Sequence, residues 1–180
     1  FLINASMAAY RGIPIVFLAG DEALCDFAKK LIPGITTVAA KKRAQESGNE
    51  SSAIQLSDGT MITAGSSPLL GTCASLLLNS IKHLAGIDHE LKLIPQDFIE
   101  PIQKTKVDYL GGKNPRLHMD EVLVALSVLS LNDANCRRAL AMLPELNGLQ
   151  AHSTVMLSQV DQKILKKLGI SLTCDPASKK

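Results

Sequence analysis

Tryptophan is absent from the 180-residue chain, and two tyrosines with four phenylalanines hold the aromatic share to 3%. A buried core must therefore be built from aliphatic side chains, and the stacking platforms used on single-stranded nucleic acid are scarce. An excess of one charge is missing too. The 19 basic and 17 acidic residues leave a net charge of +2, too small a footprint to make nucleic acid or an anionic membrane the main partner. Paired-cysteine motifs are lacking: Cys25, Cys73, Cys136 and Cys174 stand far apart, with no C-x-x-C and no histidine at finger spacing. That pattern reads as reduced thiols in a cytoplasmic protein. No apolar run approaches the roughly 20 residues of a spanning helix, since Leu76-Leu77-Leu78 is soon followed by Asn79 and Lys82. The opening Phe1-Leu2-Ile3 has no basic leader and begins inside an apolar run, as expected of a fragment of a longer polypeptide.

What remains is 46% hydrophobic and 20% charged, which excludes disorder and fits one globular domain or two small ones sharing a core. The expected class is α/β: a layered sheet with flanking helices, containing a β-hairpin and two β-α-β units. Residues 1–41 form the first unit, with a strand over 13–18, a helix over 22–31 carrying Ala23, Leu24, Phe27, Ala28 and Leu31 on one stripe, and a strand over 36–40. Residues 42–52 are a polar seam without apolar periodicity, and 53–180 form the second domain.

Beyond the seam, Asp58-Gly59 between two short alternating runs predicts a hairpin with a type I′ turn. Ser67-Pro68 predicts a helix start, and Leu69, Leu70, Cys73, Leu76, Leu77, Ile81 and Leu84 carry its stripe to Gly86. The small residues Gly71, Ala74 and Ser75 on this helix would admit a partner or a second copy, and Cys73 reads as packing. A helix over 97–103 is interrupted by Pro101, and a short strand is expected over 107–110. Two helices follow, one carrying Val122, Leu123, Ala125, Leu126 and Leu129, the other over 133–143. The tail reads as a strand over 153–157, a helix opened by the cap pair Ser158 and Asp161 and closed by Gly169, and a strand over 170–174.

Two polar clusters are the candidate site. In the first, Lys113, Asn114 and Arg116 run through a loop into the helix start at His118, Asp120 and Glu121, where free backbone N–H groups favour anions and Arg116 can grip a phosphate or carboxylate. The structural alternative is that Asp120 and Glu121 answer the helix dipole and His118 packs locally. In the second, His152 stands beside Ser153 and Thr154 at the start of the 153–157 strand, a setting for a ligand-orienting or acid–base imidazole or for a structural one. If both clusters reach one crevice, His118, His152, Asp120 and Glu121 are the candidate catalytic groups, with Lys113, Asn114, Arg116, Ser153 and Thr154 as ligand-binding groups. A triad of Ser153, His118 and Asp120 lacks the G-x-S-x-G elbow, and zinc held by His118 and His152 with Asp120 or Glu121 lacks a defined third ligand. No cofactor is specified. His83 and His89 read as surface positions near a helix end.

Several strings support a family resemblance: Gln55-Leu56-Ser57-Asp58-Gly59, Ser67-Pro68-Leu69-Leu70-Gly71, Gly112-Lys113-Asn114-Pro115-Arg116-Leu117-His118, Asp120-Glu121-Val122-Leu123, Ala151-His152-Ser153-Thr154-Val155 and Lys167-Leu168-Gly169-Ile170. In this order they resemble the C-terminal part of the uncharacterised bacterial family called domain of unknown function 1846, or uncharacterised protein family 0371, over about residues 42–176. The resemblance implies that both polar clusters are family motifs, that members carry a longer N-terminal region with a glycine-rich segment, and no particular activity. Met119 stands where the family pattern implies a small hydroxyl residue. Asn4-Ala5, Gly12-Ile13-Pro14-Ile15-Val16, Ala19-Gly20-Asp21-Glu22 and Leu31-Ile32-Pro33-Gly34 instead resemble the middle of zinc-dependent D-aminopeptidases of the dipeptide-transport type. That family's metal ligands fall ahead of Phe1, so none carries over to this sequence. The expected function is capture of a small anionic ligand or substrate where the 111–121 loop meets the 151–154 strand. The alternatives are a non-catalytic assembly or regulatory module that uses an upstream domain or a homo-oligomer, and a remnant of an amide hydrolase.

Overall fold

A computed structural model describes residues 2–12, 15, 17–19, 22–32, 36–38 and 50–174. Its first part is α1 (Leu2–Tyr10), β1 (Phe17–Ala19), α2 (Glu22–Leu31) and β2 (Thr36–Val38), with β1 and β2 paired in parallel. This is the expected first β-α-β unit. The expected cap at Gly20-Asp21, the stop at Pro33-Gly34 and most of the polar seam lie outside the described residues.

The second part holds the larger sheet. Its strands are β3 (Ser51–Gln55), β4 (Met61–Gly65), β5 (Gln150–Ser153) and β6 (Ser171–Cys174), in the order β4-β3-β5-β6. β3 runs antiparallel to both neighbours, while β5 and β6 are parallel and joined through α7 (Gln159–Lys167). The second β-α-β unit is therefore present. The other helices are α3 (Thr72–Leu84), α4 (Gln96–Lys104), α5 (Met119–Leu129) and α6 (Ala134–Ala141). α3 packs on β3 and β4, α7 on β6, and α5 and α6 lie against α3. Among the described residues no helix is long and apolar enough to cross a membrane.

Strand alternation sorts the sheet into two faces. Ile62, Ile54, Ala151 and Leu172 form one row across the four strands, with Ala64, Ser52, Ser153 and Cys174 as the next row on the same side. Ile54 and Ala151 enter the aliphatic core with Leu76, Leu77 and Ile81 of α3, Val122 and Leu126 of α5, and Leu165 of α7. Thr63, Ala53, His152 and Thr173 share the opposite face.

Local chemistry moved several boundaries. The hairpin turn is not type I′, because no described residue other than glycine has positive φ. Gly59 N–H bonds to Leu56 O at 3.0 Å, Leu56 N–H to Thr60 O at 2.9 Å, and Gly59 alone has a left-handed φ of 86°. This is a three-residue loop, a type I turn closed by a glycine bulge; the Asp58 carboxylate accepts from Thr60 N at 2.8 Å and is thereby held below the usual carboxylate range. The helix expected from Ser67-Pro68 starts later, at Thr72. The Ser67 hydroxyl accepts from Leu69 N and Leu70 N at 3.2 and 3.0 Å, making a turn rather than a helix cap. The chain then pairs with the distant Leu117: Leu117 N–H reaches Leu69 O at 2.9 Å and Gly71 N–H reaches Leu117 O at 3.1 Å.

Pro101 lies inside α4 without ending it, and the expected strand at 107–110 is instead a π-helical turn, Thr105–Tyr109, directly after the helix. The strand expected over 153–157 runs from Gln150 to Ser153, because its ladder ends where Ser51 starts β3 and Thr154 N–H closes on Ser51 O at 2.9 Å. His152 consequently lies inside an interior strand rather than at a strand start. Along α3, Cys73, Ala74, Leu76, Leu77 and Ile81 are buried within the domain, while Gly71 and Ser75 are half-buried. At its other end α7 closes as expected, with Gly169 at φ 74° and the paired bonds Gly169 N to Lys166 O and Ile170 N to Leu165 O.

Leu117 joins these parts, since its backbone makes the bridge and its side chain is fully buried. Replacing it with alanine is expected to cost about 2–5 kcal/mol. Urea unfolding would measure this as a lower midpoint at an unchanged slope.

Candidate functional site

The N-termini of three helices meet near the end of β5. α7 begins with Ser158, whose hydroxyl accepts from Asp161 N at 3.1 Å and donates to Asp161 Oδ2 at 2.8 Å. This local cap holds a nearly buried carboxylate, which then reaches across to α5. Asp161 Oδ1 accepts from Met119 N at 3.0 Å, and Asp161 Oδ2 lies 2.9 Å from His118 Nδ1. A carboxylate in this setting only accepts, so Nδ1 carries the proton and Nε2 is the ring nitrogen left for chemistry. The His118 side chain keeps about a quarter of its surface exposed.

The loop ahead of His118 is fixed by its own polar groups. Asn114 Oδ1 accepts from Arg116 N at 3.1 Å, and Lys106 of the π-turn donates to Arg116 O at 2.7 Å and to Glu121 Oε2 at 2.8 Å. The same Glu121 oxygen accepts from His118 N at 2.8 Å, one half of a capping box. Arg116 is paired with Glu50 at 3.4 Å, and both side chains are substantially exposed. Lys113 and Asn114 are exposed.

α3 begins differently. Its N-cap is Gly71, which has no side chain to cap the helix, and no described residue accepts from the N–H groups of Thr72, Cys73 or Ala74. All three residues are buried. Beside them Ser52 donates to Ser153 Oγ at 3.1 Å, and the Cys73 sulfur lies 3.9 Å from Ser52 Oγ. Burial first, then the nearby Asp161 charge, pushes the Cys73 thiol up to about 12.

These contacts rearrange the expected roles. His118 and Arg116 stand at the α3–α5 junction, with Ser153 in the adjoining polar row of the sheet. His152 does not join them: it is buried on the opposite face from Ser153, with Nδ1 2.8 Å from Thr173 Oγ1. Thr154 is tied to Ser51, accepting from its N–H at 3.0 Å and donating to its O at 3.1 Å. Asp120 accepts from Glu121 N at 2.9 Å and lines a groove between α4 and α5, away from the imidazole. The Ser153–His118–Asp120 triad is therefore not formed. The carboxylate behind His118 is Asp161, and Ser158 sits on the same Nδ1 side at 3.5 Å, so it is not placed as a nucleophile for Nε2. The zinc set fails for the same reason, and among the described residues no three His, Cys, Asp or Glu side chains form a group able to hold a metal. Sequence reasoning missed Asp161 and Lys106 as site residues. The Ser158-to-Asp161 spacing was the available signal, and it was read only as a helix cap.

The family described as domain of unknown function DUF1846, C-terminal, matches residues 35–180. The chain belongs to this family. A UPF0371 protein of Corynebacterium aurimucosum is 53% identical over 137 residues, covering 76% of this chain and 28% of the relative. A UPF0371 protein of Streptococcus thermophilus is 45% identical over 139 residues, covering 77% and 28%, and one of Corynebacterium urealyticum is 47% identical over 138 residues with the same coverage. The chain thus spans little more than a quarter of the length of these DUF1846 relatives. The D-aminopeptidase family also matches residues 1–64, overlapping the DUF1846 match.

The raised Cys73 thiol gives a direct check on this corner of the DUF1846 domain. At pH 8 iodoacetamide should leave Cys73 unmodified in the native protein and modify it in urea, as read by mass spectrometry of the peptide. The sign of the linkage is fixed: a folded-state value raised from 9.0 to about 12 favours the native state below pH 9, and that advantage disappears as the pH climbs through about 12.

Proposed function

We propose that the region from residue 53 to 180 captures a small anionic ligand or substrate where the start of α3 meets the start of α5, and that His118 exchanges a proton with it. The observation that carries this reading is the uncapped start of α3. Three buried N–H groups at the positive end of a helix dipole, on Thr72, Cys73 and Ala74, have no acceptor among the described residues. A phosphate or carboxylate oxygen is the acceptor such a helix start favours.

The surroundings support the same chemistry. Among the described residues the Arg116 guanidinium pairs with Glu50 in an exposed contact, an interaction weak enough for a ligand anion to replace. Lys113 and Asn114, exposed in the same loop, are available to the outer part of a ligand. His118, fixed by Asp161 through Nδ1, presents Nε2 as a general acid or base. Glu121 and Thr154, both engaged in structural hydrogen bonds, fall to supporting roles in this reading, and His152 acts on the other face of the sheet. Since the chain spans 28% of these relatives' length, the reading concerns ligand capture by this region.

Thermal unfolding against nucleotides, phosphorylated metabolites, Zn²⁺ and Mg²⁺ tests it. A ligand present at about 100 times its Kd should stabilise the native state by about 2.7 kcal/mol. The shift should disappear in Arg116→Ala and in His118→Ala, each of which should still unfold cooperatively. No shift from any compound, or equal shifts in both variants, would refute the reading.

A further inference from the structure

α3 has a second polar end. Ser75, Asn79 and Lys82 recur at helical spacing along the side of α3 that faces β4 and the loop leading to α4, and together with that loop they line a cavity of about 330 Å³. Its lining includes the basic residues Lys82 and Lys92 together with His89, and no aspartate or glutamate lines it. Lys82 is only 8% exposed. Its ammonium donates to His89 O at 2.6 Å and to Leu91 O at 3.1 Å, and it forms no ion pair with any described carboxylate. Burial holds its pKa below the ordinary lysine value.

Two carbonyls satisfy two of the three ammonium N–H bonds, and the Asp88 and Glu90 carboxylates act on the charge only from beyond ion-pair distance. A cation removed from water without a counter-charge is costly. The Ser75 hydroxyl, on the same cavity wall, makes no hydrogen bond among the described residues, and Asn79 is held by its Nδ2 donating to Thr63 O at 3.2 Å. The rest of the lining is mostly aliphatic, including Leu78, Ile94 and Ile99.

We infer that this cavity binds a small organic carboxylate with an apolar body, its carboxylate on the Lys82 ammonium and its body against Leu78, Ile94 and Ile99. A single buried cation with no arginine fork suits a monoanion better than a phosphate dianion, and the aliphatic wall adds affinity that an inorganic ion cannot use. The inference is independent of the anion site at the start of α3, because it uses none of the same side chains.

The test is an amide NMR titration of the 180-residue chain with hexanoate, with hexanol and inorganic phosphate as the comparison compounds. Hexanoate should move the amides of Ser75, Asn79, Lys82 and Ile94, with hexanol and phosphate binding at least about tenfold more weakly. Lys82→Met should weaken hexanoate by about tenfold and bring it level with hexanol. Ser75→Leu, which fills the cavity without touching the ammonium, should abolish binding and remains informative if Lys82→Met fails to fold. Absence of hexanoate binding, equal binding of hexanol, tighter binding of phosphate, or unchanged hexanoate binding in Ser75→Leu would each overturn the inference. Lys82 would then be a clamp on the loop carbonyls alone.

Discussion

The pairing of Leu117 with the stretch from Leu69 to Gly71 determines where the polar groups of this domain can act. Two backbone hydrogen bonds, Leu117 N to Leu69 O and Gly71 N to Leu117 O, bind segments more than 40 residues apart. They set the starts of α3 and α5 side by side. The buried Leu117 side chain makes the contact expensive to open. Because Leu69 O accepts from Leu117 N and Leu70 O accepts from Ser67 N, those residues cannot begin the helix that their spacing would allow. Gly71 becomes the N-cap, and the helix start that results has no side-chain acceptor of its own.

Two buried charges show how differently the domain treats its ions. Asp161 is saturated, receiving Met119 N–H, the His118 ring and the Ser158 hydroxyl, and so joins α7 to α5. A carboxylate with this many donors is stable in a low-dielectric setting and also fixes the orientation of the imidazole. Lys82 is hydrogen-bonded to two carbonyls and has no ion pair among the described residues, Asp88 and Glu90 acting on it from farther away. One ion is answered within the protein by three direct donors. The other is answered by two carbonyl dipoles and distant carboxylates, and it borders a cavity.

Local patterns were legible in the sequence where a single segment decides the outcome. The apolar stripes of α3 and α5, the cap of α7 at Ser158 and its stop at Gly169 depend on residues within one or two turns, whereas α2 departs from its expected stripe by burying Cys25 and Ala28 and exposing Phe27 and Leu31. Asp58-Gly59 marked the turn but not its type, because the dipeptide leaves open whether the loop has two residues or three. The family strings span the loop before α5 and strand β5, yet they leave open which partners each side chain meets. Asp161 becomes the partner of His118 only when α7 and α5 pack together, and no spacing along the chain announces that. The assignment of His152 turned on strand parity. A strand beginning at Gln150 places His152 and Ser153 on opposite faces, so adjacent residues of one motif serve different sides of the sheet.

α3 connects these observations. Leu76, Leu77 and Ile81 hold its middle in the core, which fixes the helix against sliding or rotation. Its ends carry polar groups that the packed centre can hold in place: three N–H groups without an acceptor among the described residues at the start, and one ammonium bonded to two carbonyls but without an ion pair in the last turn. Such groups are poor investments for stability alone, since a side-chain cap at position 71 or an apolar residue at position 82 would remove the penalty. Both proposed ligand sites therefore draw on the two ends of one largely buried helix.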